Sequence, residues 1–182
     1  MNLSHHFLVS MPQLLDPPFR HSVIYLLDHD EKGAWGAIVN QTSAIALGDI
    51  FEQLDIETDL PVTAETVLFG GPVDEQHGVV LHPHGAWFES TRDYLAGVSV
   101  SSSRDVLEAV AAGSEPQQRL VVLGHAGWGP GQLESEVANN AWLTCPADTS
   151  ILFATPVEKR RTAVADLIGI NLDTIVGDSG RA

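Results

Sequence analysis

A continuous apolar run at Val23 to Leu27 is followed by the polar stretch Asp28-His29-Asp30-Glu31-Lys32-Gly33 and a second apolar run at Ala34 to Val39. This spacing predicts a hairpin of two buried strands, with Gly33 supplying the turn conformation. Further short runs predict strands at Val67–Phe69, Val79–His82, Leu95–Val100, Leu120–Leu123 and Ile151–Ala154. Elsewhere the apolar period lengthens. Leu47, Ile50, Phe51 and Leu54 recur at helical spacing and predict a short helix with one face on the sheet. Ser102, with Asp105 three residues on, predicts a capping-box start to a helix that buries Val106, Leu107 and Val110, with Arg104 and Glu108 spaced to pair on its surface. A third helix is expected from Gly131, turning Leu133, Val137 and Ala141 inward. A fourth has Thr155 as N-cap, Pro156 at its first position, Glu158 completing the box and Gly169 past its end. Strands and helices mix without a strict βαβ repeat, which predicts an α+β sheet or partial barrel rather than a doubly wound sheet.

Composition narrows the partners. The chain has 182 residues, a length that suits one domain spanning 1–182, and nothing linker-like or repetitive interrupts it. Nine Lys and Arg stand against 24 Asp and Glu, a formal net charge of −15. That field disfavours phosphate backbones, so direct nucleic-acid binding is not expected, and the acidity favours solubility or a basic partner. The densest basic cluster, Lys159-Arg160-Arg161, reads as a solvated helix face. The single cysteine, Cys145, excludes an intrachain disulfide and reads as an inert buried thiol. The apolar run Phe7–Met11 is too short for a secretory signal and no later run approaches a membrane span, so no membrane association and a cytoplasmic location are expected.

The densest unusual stretch is Gly124-His-Ala-Gly-Trp-Gly-Pro-Gly-Gln-Leu-Glu134, between a predicted strand and a helix start. Phosphate loops occupy such places, but the Lys-Ser/Thr of a P-loop and the G-x-G-x-x-G spacing of a dinucleotide fold are both missing. Glu134 and Glu136 would themselves satisfy the positive helix end. A tight turn and a binding loop both remain open. Asp28–Gly33 imitates a calcium loop but has Lys32 at a ligand position and Val39 where the closing Glu belongs. His82-Pro83-His84 places two imidazoles after a strand, which a carboxylate could complete as a zinc site, though a polar loop explains the pair as well. There is no G-x-S-x-G elbow, and Ser101 to Ser103 are accounted for by helix capping. Gly70-Gly71-Pro72 makes a turn with exposed amides, and Asn40 ends a neighbouring strand; either could line a pocket.

Three stretches stand out together: Asp16-Pro-Pro-Phe through Gly36-Ala-Ile-Val-Asn40, Phe69-Gly-Gly-Pro72, and Gly127-Trp-Gly-Pro-Gly-Gln-Leu-Glu134 running on to Asn140-Ala-Trp142. Taken together, they resemble the YqgE/AlgH family of bacterial proteins. The resemblance extends from Leu3 to about Gly169. It implies a split β-sheet closing into a partial barrel, flanked by about four helices, in a cytosolic protein. The AlgH name carries an association with transcriptional control of alginate synthesis, which labels a pathway and not a mechanism. Tyr is usual in the family pattern where this chain has His125, so that imidazole is a poor candidate for a shared base.

The residues matching the family pattern, Asn40, Gly70, Gly71, Pro72, Gly127, Trp128, Gly129, Gly131, Gln132 and Glu134, are the candidate site for a ligand or partner protein. The expected function is a non-enzymatic or regulatory binding protein, without cofactor or metal, that presents Trp128 partly exposed at a depression beside Asn40. The alternative is a hydrolase or metal-assisted enzyme using His82, His84 and Glu134.

Overall fold

The structure, a computed structural model, describes residues 1–171; the last eleven positions of the expected 1–182 domain lie outside the described residues. In chain order come β1 (His6–Ser10), β2 (Val23–Asp30), β3 (Gly33–Ile38), β4 (Thr42–Ala46), α1 (Leu47–Gln53), β5 (Thr66–Phe69), β6 (Val73–Pro83), β7 (Arg92–Asp93), β8 (Val98–Ser101), α2 (Arg104–Ala111), β9 (Leu120–Trp128), α3 (Gln132–Ala138), β10 (Trp142–Pro146), α4 (Thr149–Phe153) and α5 (Arg160–Leu167). The strands run β10-β1-β2-β3-β9-β6-β8-β7, with β4–β5 attached beside β9.

The sheet splits at β9. Its C-terminal half, Ala126 to Trp128, pairs antiparallel with β3, whereas Val122 and Leu123 pair parallel with β5 and Leu120 to Leu123 pair antiparallel with β6. The two halves curl around one inner core to which both contribute: Phe7, Val9, Tyr25 and Leu27 from one, Leu81, Val98, Val100 and Val122 from the other. Side chains alternate across each strand, so Leu8, Ile24 and Leu26 face outward beneath α3, and Val67, Val80 and Val121 face outward beneath α1 and α2. The expected α+β split sheet, curled into a half-barrel, is present.

Several local expectations hold. The β2–β3 hairpin forms, and Gly33 takes φ +134°, where an added Cβ would meet the Trp128 carbonyl oxygen at 2.2 Å. The helix over Leu47 forms with Leu47 and Phe51 buried, and Arg104 Nε donates to Glu108 at 2.6 Å. Others are corrected. Ile151–Phe153 lies in helix α4, with Ala154 as its C-cap, rather than in a strand, because Asp148 accepts the Ser150 N–H as an N-cap. Leu95–Gly97 is a 3-10 turn ahead of β8. Ser103, not Ser102, is the α2 N-cap, and the N–H groups of Ser102 and Ser103 both donate to the Ser90 hydroxyl at 2.7 Å. The last helix starts at Arg160, after a 3-10 turn at Val157–Lys159. Its basic cluster is not a solvated face: Arg160 is only 4% exposed.

Candidate binding site

The Gly–Trp stretch is the end of a strand and not a loop. β9 continues through Gly124 and His125 to Trp128, which is 7% exposed, so the expected presentation of the indole at the surface is wrong. Gly127 and Gly129 are open to solvent, but the indole between them points the other way, into the layer beneath α3. There it meets Trp142 edge to face at 6.1 Å. Trp128 Nε1 and Trp142 Nε1 both donate to Oε2 of Glu136, at 2.9 and 2.8 Å, and Gln132 Nε2 donates to Oε1 at 2.9 Å. One carboxylate thus satisfies two indoles that would otherwise bury unpaired donors.

The rest of the motif has a matching role. Gly131 at φ +72° turns the chain into α3, and Gln132 Oε1 accepts the Gly129 N–H at 3.0 Å. Glu134 accepts from His29 Nε2 at 3.0 Å. The His29 ring is buried, and its Nδ1 accepts the Leu3 N–H at 3.0 Å, so the ring proton sits on Nε2. The carboxyl of Glu134 is held below its ordinary value, by its own backbone N–H first and then by His29.

The other candidate residues lie elsewhere. Asn40, six residues beyond Ala34, the β3 partner of Trp128, sits at the opposite end of that strand, roughly 20 Å away. Its side chain accepts the Val23 N–H at 2.7 Å and donates to the His21 carbonyl at 2.9 Å. Gly70 and Gly71 lie where the chain crosses β9: a Cβ on Gly70 would meet the Gly124 carbonyl oxygen at 2.3 Å, and one on Gly71, at φ +146°, the His125 carbonyl oxygen at 2.3 Å. Pro72 is exposed beyond them. The ten residues are not gathered into one pocket.

The enzymatic set does not assemble either. Glu134 is engaged with His29, and among the described residues no three His, Cys, Asp or Glu side chains are placed to hold a metal. His82 is fully buried, with Nδ1–H donating to the Pro83 carbonyl at 2.9 Å and Nε2 accepting from the Ser101 hydroxyl at 2.9 Å. Burial above all lowers its pKa, which keeps the ring neutral. Both nitrogens are occupied, which leaves no lone pair for a metal. His84 Nε2 donates to the Val98 carbonyl at 3.1 Å.

A different place has the form of a binding site. A cavity of about 700 Å³ opens between α1 and α2 over the outer face of the sheet. Its floor is Val80, Val121 and Leu123, and its flanks are Ile50 of α1 and Leu107 of α2. Two strand irregularities make room for it. Val73 pairs with His125 but Gly78 with Leu123, so residues 74–77 of β6 arch away and carry Glu75 and His77 to the rim. On the other side Thr42 pairs with Leu68 and Ala46 with Thr66, and the slack in β4 leaves Ile45 41% exposed at the mouth. Arg104 at the start of α2 adds a cation to the rim. Sequence reasoning missed this site, since neither bulge has a Gly or Pro at its centre; Asp74 at φ +55° marks the arch and could not be read from residue type.

A curled, mostly antiparallel sheet half closed on its own core, with α3 locked to its outer face through a Trp–Glu–Trp contact, defines an α+β half-barrel protein. The chain belongs to the AlgH-like family (DUF179), whose model matches residues 7–173. It is 48% identical to a UPF0301 protein of Thioalkalivibrio sulfidiphilus, covering 100% of this chain and 97% of that one. It is 44% identical to the UPF0301 protein AlgH of Pseudomonas aeruginosa, covering 99% and 96%. The solution structure of the Pseudomonas aeruginosa AlgH protein superposes with a TM-score of 0.83, covering 100% of this chain and 97% of that one at 44% identity. A crystal structure of a Corynebacterium diphtheriae protein shares the fold at 19% identity, with a TM-score of 0.71 over 97% and 92%. None of these names states a reaction or a ligand. No helix among the described residues is long and apolar enough to cross a membrane.

Proposed function

We propose that this protein is a non-catalytic binding protein that takes a small molecule with an apolar body and a polar end into the cavity between α1 and α2. The observation that carries the reading is that cavity: about 700 Å³ of space, with an aliphatic floor and charged groups confined to its rim. Ligand sites of this size typically combine an apolar lining with a few polar groups that fix orientation. Bulges recur beside functional sites because they re-aim strands at some cost in pairing, and here two of them flank one opening. A regulatory role for such a protein would run through the ligand and the partner that senses it, in keeping with a net charge of −15 that disfavours direct contact with nucleic acid.

The test uses 8-anilinonaphthalene-1-sulfonate, an apolar fluorophore with one charged end, added to the full chain. The expected result is saturable 1:1 binding with a blue shift, lost in Leu107→Trp, which fills the cavity from the half-buried side of α2. No saturable binding, or undiminished binding to a folded Leu107→Trp, refutes the assignment.

A further inference from the structure

Four of the nine Lys and Arg residues, Arg20, Lys159, Arg160 and Arg161, gather at the end of the sheet where β1 finishes and β2 begins. Arg160 is structural: its guanidinium donates to the carbonyls of Val39 at 2.6 Å, Leu152 at 2.9 Å and Thr155 at 3.1 Å. Arg161 is different. It is half-buried, yet among the described residues its only hydrogen bonds are to the Ser10 hydroxyl and the Ser22 carbonyl, both at the long distance of 3.4 Å, and no described carboxylate lies within ion-pair range. A guanidinium carries five N–H donors, and burial has removed much of the water that would otherwise satisfy them. Desolvation by burial lowers the Arg161 pKa.

The neighbouring turn adds positive charge in a fixed geometry. His21 adopts φ +57° and its carbonyl accepts from Asn40, while Gln41 Nε2 donates to the carbonyls of Pro18 at 3.1 Å and Arg20 at 3.4 Å. After burial, Arg161 and Arg20 are what press the His21 pKa down, which places all three groups within electrostatic reach of one another. Arg160 and Arg161 also occupy the first turn of α5, the positive end of its dipole, with no acidic residue in that turn. The acidic influence nearest at hand, Glu158, acts on Arg160. In a chain with 24 Asp and Glu, Arg161, Arg20 and His21 lie together with no ion-paired carboxylate among the described residues, an arrangement that repels itself until an anion arrives.

We propose that Arg161, Arg20 and the His21–Ser22 turn form a site for a small oxyanion, the phosphate or carboxylate end of a ligand, at the sheet end capped by α5. The guanidinium of Arg161 supplies paired donors from the half-buried side, and Arg20 closes over the anion from the solvent side. The site lies apart from the α1–α2 cavity and does not depend on it.

Amide NMR of the full chain tests this, with inorganic phosphate and, separately, acetate titrated at constant ionic strength set by chloride. Saturable shifts are expected at residues 10–11, 20–23 and 161–162. Arg161→Gln and Arg20→Gln each weaken binding about tenfold or more, while Lys32→Gln, at the far end of β2, leaves it unchanged. A response to phosphate and not acetate assigns a phosphate-bearing ligand, a response to acetate and not phosphate assigns a carboxylate, and an equal response assigns a site that takes either oxyanion. Shifts no larger than chloride alone produces, or binding that survives both arginine changes, overturn the proposal. Arg20 lies in an exposed turn, so Arg20→Gln decides the matter even where Arg161→Gln does not fold.

Discussion

The carboxylate of Glu136 accepts the indole N–H of Trp128 at 2.9 Å, and the same oxygen accepts that of Trp142 at 2.8 Å. This shared acceptor makes the Trp128 motif a seam between α3 and the sheet. Trp128→Ala is therefore expected to cost about 3–5 kcal/mol of stability, as for an aromatic removed from a core. Glu136→Ala leaves two indole donors without their acceptor and should cost about 1–3 kcal/mol for each one left unsatisfied. Urea unfolding measures both; a Trp128→Ala protein as stable as the parent would return the indole to the surface role first expected of it.

The motif glycines divide by what surrounds them. Gly71→Ala combines φ +146° with a Cβ at 2.3 Å from the His125 carbonyl oxygen and should destabilise by more than about 3 kcal/mol. Gly129→Ala, whose nearest neighbour stands at 3.9 Å, should stay within about 0.5 kcal/mol. Gly131→Ala, in open space but at φ +72°, should fall between, at about 1–2 kcal/mol. Equal melting temperatures for all three would mean that backbone approach plays no part in the motif.

Glu134 predicts an acid-side dependence. Its folded pKa is depressed, so its contribution to stability is present above the ordinary carboxylate value of about 4.3 and disappears as pH falls through the lower folded value. Glu134→Gln should therefore be less stable than the parent at pH 6, with the difference closing as the pH is lowered past that value. A difference that stays constant down to pH 3 would show that the carboxyl titrates alike in both states.

Cys145 is 4% exposed and burial raises its thiol pKa, so it holds little thiolate at neutral pH. Labelling by a disulfide reagent such as DTNB should be slow in the native protein and fast in urea. Rapid native labelling would contradict the inert thiol.

Long periodic segments were legible in the sequence, and short or glycine-rich ones were not. The helix over Leu47 and Phe51 and the pair of runs on either side of Gly33 could be read because each repeats its period several times. Ile151 to Ala154 could not, since four apolar residues fit a strand or a helix equally well; the deciding signal was Asp148 one position ahead of the helix. The strand character of Gly124–Trp128 was hidden because glycine suggests a turn, whereas here it lets neighbouring backbones approach. Of the candidate site, the importance of Trp128 and Glu134 was visible but not their burial partners, Glu136 and His29, which lie 8 residues away on α3 and 105 residues away on β2. The cavity depends on two bulges in register, a property of paired strands and not of any one segment.

The pairing of β1 with β10 also sets an order of events during synthesis. His6 faces Pro146, and Ser10 faces Trp142. At roughly 5–20 residues per second, the outer edge of the first strand leaves the ribosome roughly 7–28 s before its partner exists. During that interval an apolar strand edge, His-Phe-Leu-Val-Ser, is open to any other extended chain. Nascent molecules are therefore most exposed to mispairing before the C-terminal third emerges, so this protein's yield in cells should depend on chaperone capacity more than the stability of the finished half-barrel would suggest.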